Sequence, residues 1–553
     1  MKKFLFCAIS ALLCICLLVL GLPVCAAAEE PLRFWVAADT HFYSETDLGE
    51  RTAQYAENML DAELYDYVSS QGQMQYESRA IVQAMLDAFV RSDAPYLLIA
   101  GDLTGGRRQS HTEFAQMLRD AEERSGKSVF VINGNHDCAA SDAAGRITME
   151  SFREIYRDFG YDRAFAVHDA SASYAADLSD SVRLLAVDSC IYGEDEGQID
   201  TSLFNWIKAQ LAQAEANNKT ILVMMHHSIL PHYALQPMFK RSETIARYLA
   251  DHGAHLVLTG HIHANDAASA KTNKGNVLYD LQTGSLITSP NAYRVVTLTP
   301  DGAQTETRFI TQIDTSLLPG DCTAAQRDAM ETDFPAYAFG YFEAGVCKWL
   351  NRNIGSPNRF ARWFKIKEGT KAYDALCRVT KEAGSAIGQN LYGDGSMAET
   401  LLHHGVSLPE SEYRKLYQPA AKIMYGFFHG NETSVSSRTD AELVRKGVQA
   451  ALLYGLQTAL PESRRVTEFA AALPGAKTAR EIADRFADAL ICTLADGFTD
   501  DYSAPDDLAC ALPFGTAPQT GTRPLSVFLR ILQMCVRFFS RCFTFDHTAS
   551  LPR

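Results

Sequence analysis

The sequence has no CxxC pair among its 13 cysteines. That absence removes the ligand spacing of a zinc ribbon. Cys7, Cys14, Cys16 and Cys25 fall in the first 28 residues. Cys138, Cys190, Cys322, Cys347, Cys377, Cys492, Cys510, Cys535 and Cys542 are scattered and odd in number, so their spacing specifies no disulfide framework. Positive charge is also scarce. Lys+Arg is 51 against 66 Asp+Glu, a net charge of −15. Such a surface repels phosphate backbones and argues against nucleic acid as the main partner. It leaves a small phosphorylated substrate open. Internal repeats are absent too. At 47% hydrophobic and 21% charged residues, a disordered or low-complexity chain is excluded. The length, 553 residues, exceeds one ordinary core.

The start of the chain carries Lys2 and Lys3, an apolar run from Phe4 to Leu20, and Ala26-Ala27-Ala28. This pattern predicts a secretory signal peptide over residues 1–28, with an uncleaved signal anchor as the competing reading. The expected location is secreted or cell-envelope associated. Leu22-Pro23-Val24-Cys25 is a poor lipoprotein site, because Val24 is large where a small residue belongs.

From Leu32 to about Ile310, apolar strand-like runs alternate with amphipathic helix patterns. LRFWVAA, YLLIA, SVFVI, TILVMM and AHLVLT read as buried strands, and Ser110 with Glu113 reads as a capping box. The alternation predicts an α/β layered domain over residues 29–311. Asp47 to Gln75 reads as a long insertion. Residues 312–522 turn helical, with patterns at Lys371–Ile387, Ser411–Phe428, Asp440–Leu460 and Thr478–Leu494. Residues 523–553 read as a basic amphipathic helical tail. Between Leu525 and Phe545 there is no acid, and Arg530, Arg537 and Arg541 lie on one narrow polar stripe. Two readings stand: a last helix buried on the helical domain, or peripheral membrane contact by a helix lying in the surface plane.

Chemistry-bearing residues cluster where the strands end. Asp39-Thr40-His41, Gly101-Asp102, Gly134-Asn135-His136-Asp137, His226-His227 and Gly260-His261-Ile262-His263 each follow a predicted strand. Ligands in open α/β sheets bind beyond the carboxyl ends of strands. In extended backbone, residues i and i+2 point the same way, so Asp39 with His41, and His261 with His263, are expected to aim together. Asp, Asn and His donors suit first-row divalent ions. Two such ions about 3.5–4 Å apart can bind both the attacking and leaving oxygens of a phosphoryl displacement.

The series DxH, GD, GNHD, H, GHxH resembles the calcineurin-like metallophosphoesterases, complete over residues 39–263. The resemblance implies a four-layer αββα sandwich around two divalent metal ions, manganese, iron or zinc. It implies that Asp39, His41, Asp102 and His263 hold one ion. Asp102 would bridge to the other, held with Asn135, His226 and His261. His226 is preferred to His227, because relatives place the ligand first in such a pair. By the same likeness a metal-bridging hydroxide attacks phosphorus in line, His136 assists the transition state or the leaving oxygen, and Asp137 orients His136. Purple acid phosphatases place a tyrosine three residues after the second motif's Asp. Here that residue is Gly105, so no iron–tyrosinate is expected. The neighbouring sequence is similar to secreted bacterial phosphoesterases with a helical tail.

Other residues near these motifs carry weaker expectations. Arg107 and Arg108 read as loop charges or as phosphate holders, and His111 and His232 as cleft or structural histidines. Cys138 reads as a packing residue, and Phe42 and Tyr43 as an aromatic core edge. The functional rival is a cell-surface binding or scaffold protein with a vestigial metal domain. A missing ligand would mark it, and none of the seven positions is missing.

Overall fold

The structure is a computed structural model that describes residues 31–48, 72–142, 145–233, 236–320, 322–430, 438–498 and 508–514. The signal-peptide expectation and the tail at 523–553 lie outside the described residues.

Among the described residues the chain forms β1 (Leu32–Ala37), β2 (Tyr96–Ala100), β3 (Ser128–Ile132), β4 (Ala166–Val167), β5 (Tyr174–Asp177), β6 (Val182–Val187), β7 (Thr220–Met225), β8 (Ala254–Thr259), β9 (Asp266–Lys271), β10 (Val277–Gln282), β11 (Ala292–Thr299), β12 (Gly302–Phe309) and β13 (Ala509–Pro513). They build two sheets, in the orders β13-β12-β11-β1-β2-β3 and β4-β5-β6-β7-β8-β10-β9. β1, β2 and β3 are parallel, as are β6, β7, β8 and β10.

Parallel strands need crossovers, and helices supply them. Ser78–Arg91 and Arg108–Ser125 connect the first set, Thr201–Ala216 and Ser242–Asp251 connect β6, β7 and β8 of the second, and the chain reaches β10 through β9. Strands covered on both faces read as continuous apolar runs, which is why YLLIA and TILVMM are buried almost throughout. Trp35 stacks on Tyr293 at 4.5 Å and packs against Phe89 of the Ser78–Arg91 helix. Leu203, Ile207 and Leu211 pack with Val223 and Val257 on the far side of the second sheet. Tyr174 Oη donates to Val131 O at 2.9 Å and ties the sheets together. The result is the expected helix–sheet–sheet–helix order, followed by a helical region.

That region includes helices Phe334–Ile354, Lys371–Ala386, Tyr417–His429, Arg438–Ala459 and Ala479–Phe498. They bury their own core, with Leu350, Val379, Phe427, Val444 and Leu452 among its members. Among the described residues no helix is long and apolar enough to cross a membrane.

Two local expectations are corrected. The capping box at Ser110 does not form, because the helix begins at Arg108 with Arg107 as its N-cap. Ser110 Oγ instead bonds Asp47, and Glu113 pairs with Arg79. The final described strand, β13, lies inside residues 312–522, where helix is expected. It pairs antiparallel with β12 through Gly302–Pro513 and Thr305–Cys510. The chain thus returns from the helices to the edge of the first sheet.

Candidate metal centre

The five motifs gather at the carboxyl ends of β1, β2, β3, β7 and β8. The first two loops are stitched by backbone: Asp39 N donates to Gly101 O at 3.0 Å, and His41 N to Asp102 O at 2.9 Å. Ser285 Oγ closes the third side by donating to Asp39 O at 2.9 Å.

The two aspartates divide their oxygens alike. Asp39 Oδ2 accepts from His261 N at 2.9 Å, and Asp102 Oδ1 accepts from His136 N at 2.8 Å. Their remaining oxygens face histidine nitrogens. Asp39 Oδ1 lies 3.3 Å from His263 Nε2 and 3.8 Å from His41 Nε2. Asp102 Oδ2 lies 3.3 Å from His226 Nε2 and 3.6 Å from His41 Nε2. Asn135 Oδ1 sits 3.0 Å from His226 Nε2 and 3.1 Å from His261 Nδ1. Asp39, His41 and His263 form one group that could hold a cation, and Asp39, Asp102 and His226 form another.

The residues fit metal ions by an independent sign. Asp39 Oδ1 is buried without a hydrogen-bond partner. A buried carboxylate oxygen left so is costly unless a cation takes it. Atoms sharing one ion at zinc-like bond lengths stand roughly 3.0–3.4 Å apart, close to several spacings seen here.

Backbone strain accompanies this packing. Asp39, His41, Asp102, His261 and His263 all have positive φ, between 34° and 76°. L-residues visit this region sparingly, and functional sites are where such strain collects. It also corrects the expectation of extended i, i+2 pairs. Asp39 and His41 do converge, but through positive-φ turns. His261 and His263 part: His261 goes to Asn135 and His263 to Asp39. The preceding glycines admit the ligands closely. A Cβ on Gly101 would lie 2.6 Å from His226 Nδ1, on Gly134 2.2 Å from Asp102 Oδ1, and on Gly260 2.5 Å from Asp39 Oδ2.

Electrostatics sort the histidines. Burial lowers the His41 pKa to about 3 and takes His261 well below its usual value, so both rings keep free lone pairs at neutral pH. Burial pulls His226 down, but the Asp102 charge overrides it and raises the pKa to about 9. Burial also opposes the Asp102 charge, yet His226, His136 and His41 hold its carboxyl well below the ordinary range.

His226 is the member of the pair that faces the group, while His227 is engaged elsewhere. His227 Nδ1 lies 2.9 Å from Ser189 Oγ, and Nε2 lies 3.3 Å from Asp195 O. His136 is exposed, its ring 5.2 Å from that of His41. Asp137 does not orient that ring. Its oxygens accept from the backbone N–H of Leu103, Thr104 and Gly134 at 3.0, 3.1 and 2.8 Å, so it locks the second and third motif loops together.

The remaining candidates lie around the site. His111 is buried on Thr104 Oγ1 and Tyr156 Oη, both at 2.9 Å. His232 is buried between Asp266 and Asp280. Arg107 and Arg108 are exposed, with Arg108 on Ser151 Oγ at 2.9 Å. Phe42 is core beneath Arg79, and Tyr43 receives Gln75 Nε2 at 3.2 Å. Cys138 is buried, and burial pushes its thiol well up.

Sequence reasoning missed Arg146 and Asp195. Arg146 Nη2 donates to His136 O at 2.8 Å, and Asp195 Oδ1 lies 3.5 Å from Asn135 Nδ2. Neither sits in a spaced motif, so no local signal marks them.

Residues 32–265 match the calcineurin-like phosphoesterase family. The chain is 25% identical over 215 residues to a Rhodococcus erythropolis protein named "Probable cyclic nucleotide phosphodiesterase", covering 38% of this chain and 63% of that protein. A Psychrobacter arcticus protein of the same name is 25% identical over 194 residues, covering 34% and 63%. The chain therefore spans 63% of the length of these curated relatives. Among solved structures, a dimetal phosphatase from Danio rerio aligns with a TM-score of 0.36 at 13% identity, covering 51% of this chain and 97% of that one. Residues 32–265 form a domain of the calcineurin-like phosphoesterase family.

Proposed function

We propose that this chain is an exported phosphoesterase that uses two divalent ions, manganese, iron or zinc, to hydrolyse phosphate mono- or diesters. One observation carries the reading: nitrogen and oxygen donors from four strand ends meet in two groups that share Asp39. Asp102 Oδ2 reaches histidines of both groups.

Asp39, His41, Asp102 and His263 would hold one ion, and Asp102, Asn135, His226 and His261 the other. Such ions, when bound, supply a nucleophile at neutral pH and balance charge on the attacking and leaving oxygens. The rest falls to the chain itself. His136 stands at the mouth of the site, where its ring can donate to a phosphate oxygen or pass a proton to the leaving oxygen. Asp137 keeps His136 in place indirectly, by holding the loop from which it projects. The relatives' name makes a cyclic nucleotide one candidate diester. Export rests on the basic start and apolar run before residue 29.

The test is an assay of the purified protein with manganese on p-nitrophenyl phosphate, bis-p-nitrophenyl phosphate and cyclic AMP. Hydrolysis of at least one, abolished by chelation and restored by manganese, is expected. No turnover of any by fully metallated protein would refute the proposal.

A further inference from the structure

The helical region packs against the loop of the candidate metal centre that carries His261 and His263. Ile262, between the two histidines, packs against the helical core, and Ala264 is buried inside it. The next residue makes the polar join. Asn265 N and Asn265 Nδ2 both donate to Phe428 O, at 3.2 and 2.9 Å. Asn265 Oδ1 accepts from Gly284 N at 3.0 Å, just past β10. Phe428 lies in the last turn of the Tyr417–His429 helix, where carbonyls have no intrahelical donor. Asn265 satisfies that carbonyl twice over. The loop after His226-His227 is gripped nearby, with the Tyr233 ring edge-on to Phe427 at 6.0 Å.

We propose that Asn265 is a positioning residue, through which the end of the Tyr417–His429 helix holds the His261–His263 loop in its ligating shape. This rests on reading the site as a metal centre. His261 and His263 sit at φ of 76° and 66°, a conformation that persists only where surroundings impose it. Asp39 Oδ2 holds the His261 N–H from the ligand side, and the helical side supplies the contacts just past His263, at Ala264 and Asn265. Coupling of this kind is reciprocal. A docked helix favours metal binding, and bound metal favours the docked helix.

The experiment uses the full chain and manganese alone. Calorimetric titration of Asn265→Ala is expected to show at least about tenfold weaker manganese binding. Tyr233→Ala is expected to weaken binding and Tyr233→Phe to restore it, because the ring makes the contact. Leu402→Ala, on an exposed part of the helical surface, should bind as wild type. The second readout is hydrogen exchange of the Tyr417–His429 amides. Manganese should slow their exchange in wild type and should not in Asn265→Ala. If Asn265→Ala fails to fold, the wild-type comparison with and without manganese decides alone. Normal manganese affinity in Asn265→Ala, or helix exchange indifferent to manganese, would overturn the inference. A wild type that binds no manganese at all would fell the metal-centre reading, and this inference with it.

Discussion

His41 Nε2 and His263 Nε2 face one another at 3.3 Å, from loops 222 residues apart in sequence. Burial keeps His41 unprotonated at neutral pH, and Asp39 Oδ1 beside them has no hydrogen-bond partner. Two imidazole nitrogens and a bare carboxylate oxygen in one buried place suit a cation. Asp39→Asn keeps the shape and removes the charge. Loss of about one metal equivalent is expected, with turnover down by at least about 100-fold, the upper range for losing even an outer partner of a ligand. Metal analysis of the purified variant checks it.

His136→Ala separates chemistry from assembly. The ring is exposed, while the backbone N–H that holds Asp102 survives the substitution. A fall in kcat of about 10²–10⁴ is expected, the usual range for a positioned acid or hydrogen-bond donor. Metal content and melting temperature should match wild type. A variant that loses metal as well as rate would assign His136 to holding the site rather than to the reaction.

Gly134→Ala tests the close approach of the motif loops. The added Cβ would meet Asp102 Oδ1 at 2.2 Å. The carboxylate or the loop must move, at a cost of about 1–3 kcal/mol for an overpacked site. Reduced metal binding together with a lower denaturation midpoint is expected. Gly126→Ala is the contrast: nothing lies within 4 Å of its Cβ, so strain there comes only from its φ of 68° and should leave metal binding unchanged.

Glu77 makes stability depend on pH. It is fully buried beneath the helical region, bonded to Tyr337 Oη at 2.8 Å, and burial raises its pKa from 4.5 to about 7. The native state therefore keeps a proton that the unfolded chain releases earlier. Stability from the neutral form is complete below pH 4.5 and is lost as pH rises through 7. The loss by pH 8 is about 3 kcal/mol. Glu77→Gln imitates the neutral form and should lack this loss. Urea unfolding at pH 5 and pH 8 should show the variant gaining on wild type only at the higher pH. Parallel behaviour at both would contradict the assignment.

Much of the two-sheet domain was legible because its parallel strands are buried on both faces. Tyr96–Ala100, Ser128–Ile132 and Ala254–Thr259 are apolar runs bounded by glycine or polar turns. β12 escaped because its sequence, GAQTETRF, alternates with polar residues on its outer face. β9, DAASAK, is built of small residues with little strand preference. β13 pairs with β12 across a long sequence separation and follows helices, so no local pattern announces it. The site was legible because each motif is short and follows a strand. What the residues do there depends on the turns between them. Positive φ at five positions sent His261 and His263 to different partners, and the turn at Gly134–Asp137 aimed Asp137 at backbone rather than at His136. Arg146 and Asp195 reach the motif residues from outside any spaced motif, which leaves no spacing to read.

The most direct measurement is the metal stoichiometry of wild type and Asp102→Asn after reconstitution with manganese, by elemental mass spectrometry on desalted protein. About two equivalents in wild type, and a clear loss in the variant, are predicted. Wild type that retains no transition metal, or Asp102→Asn that retains as much as wild type, would contradict the account.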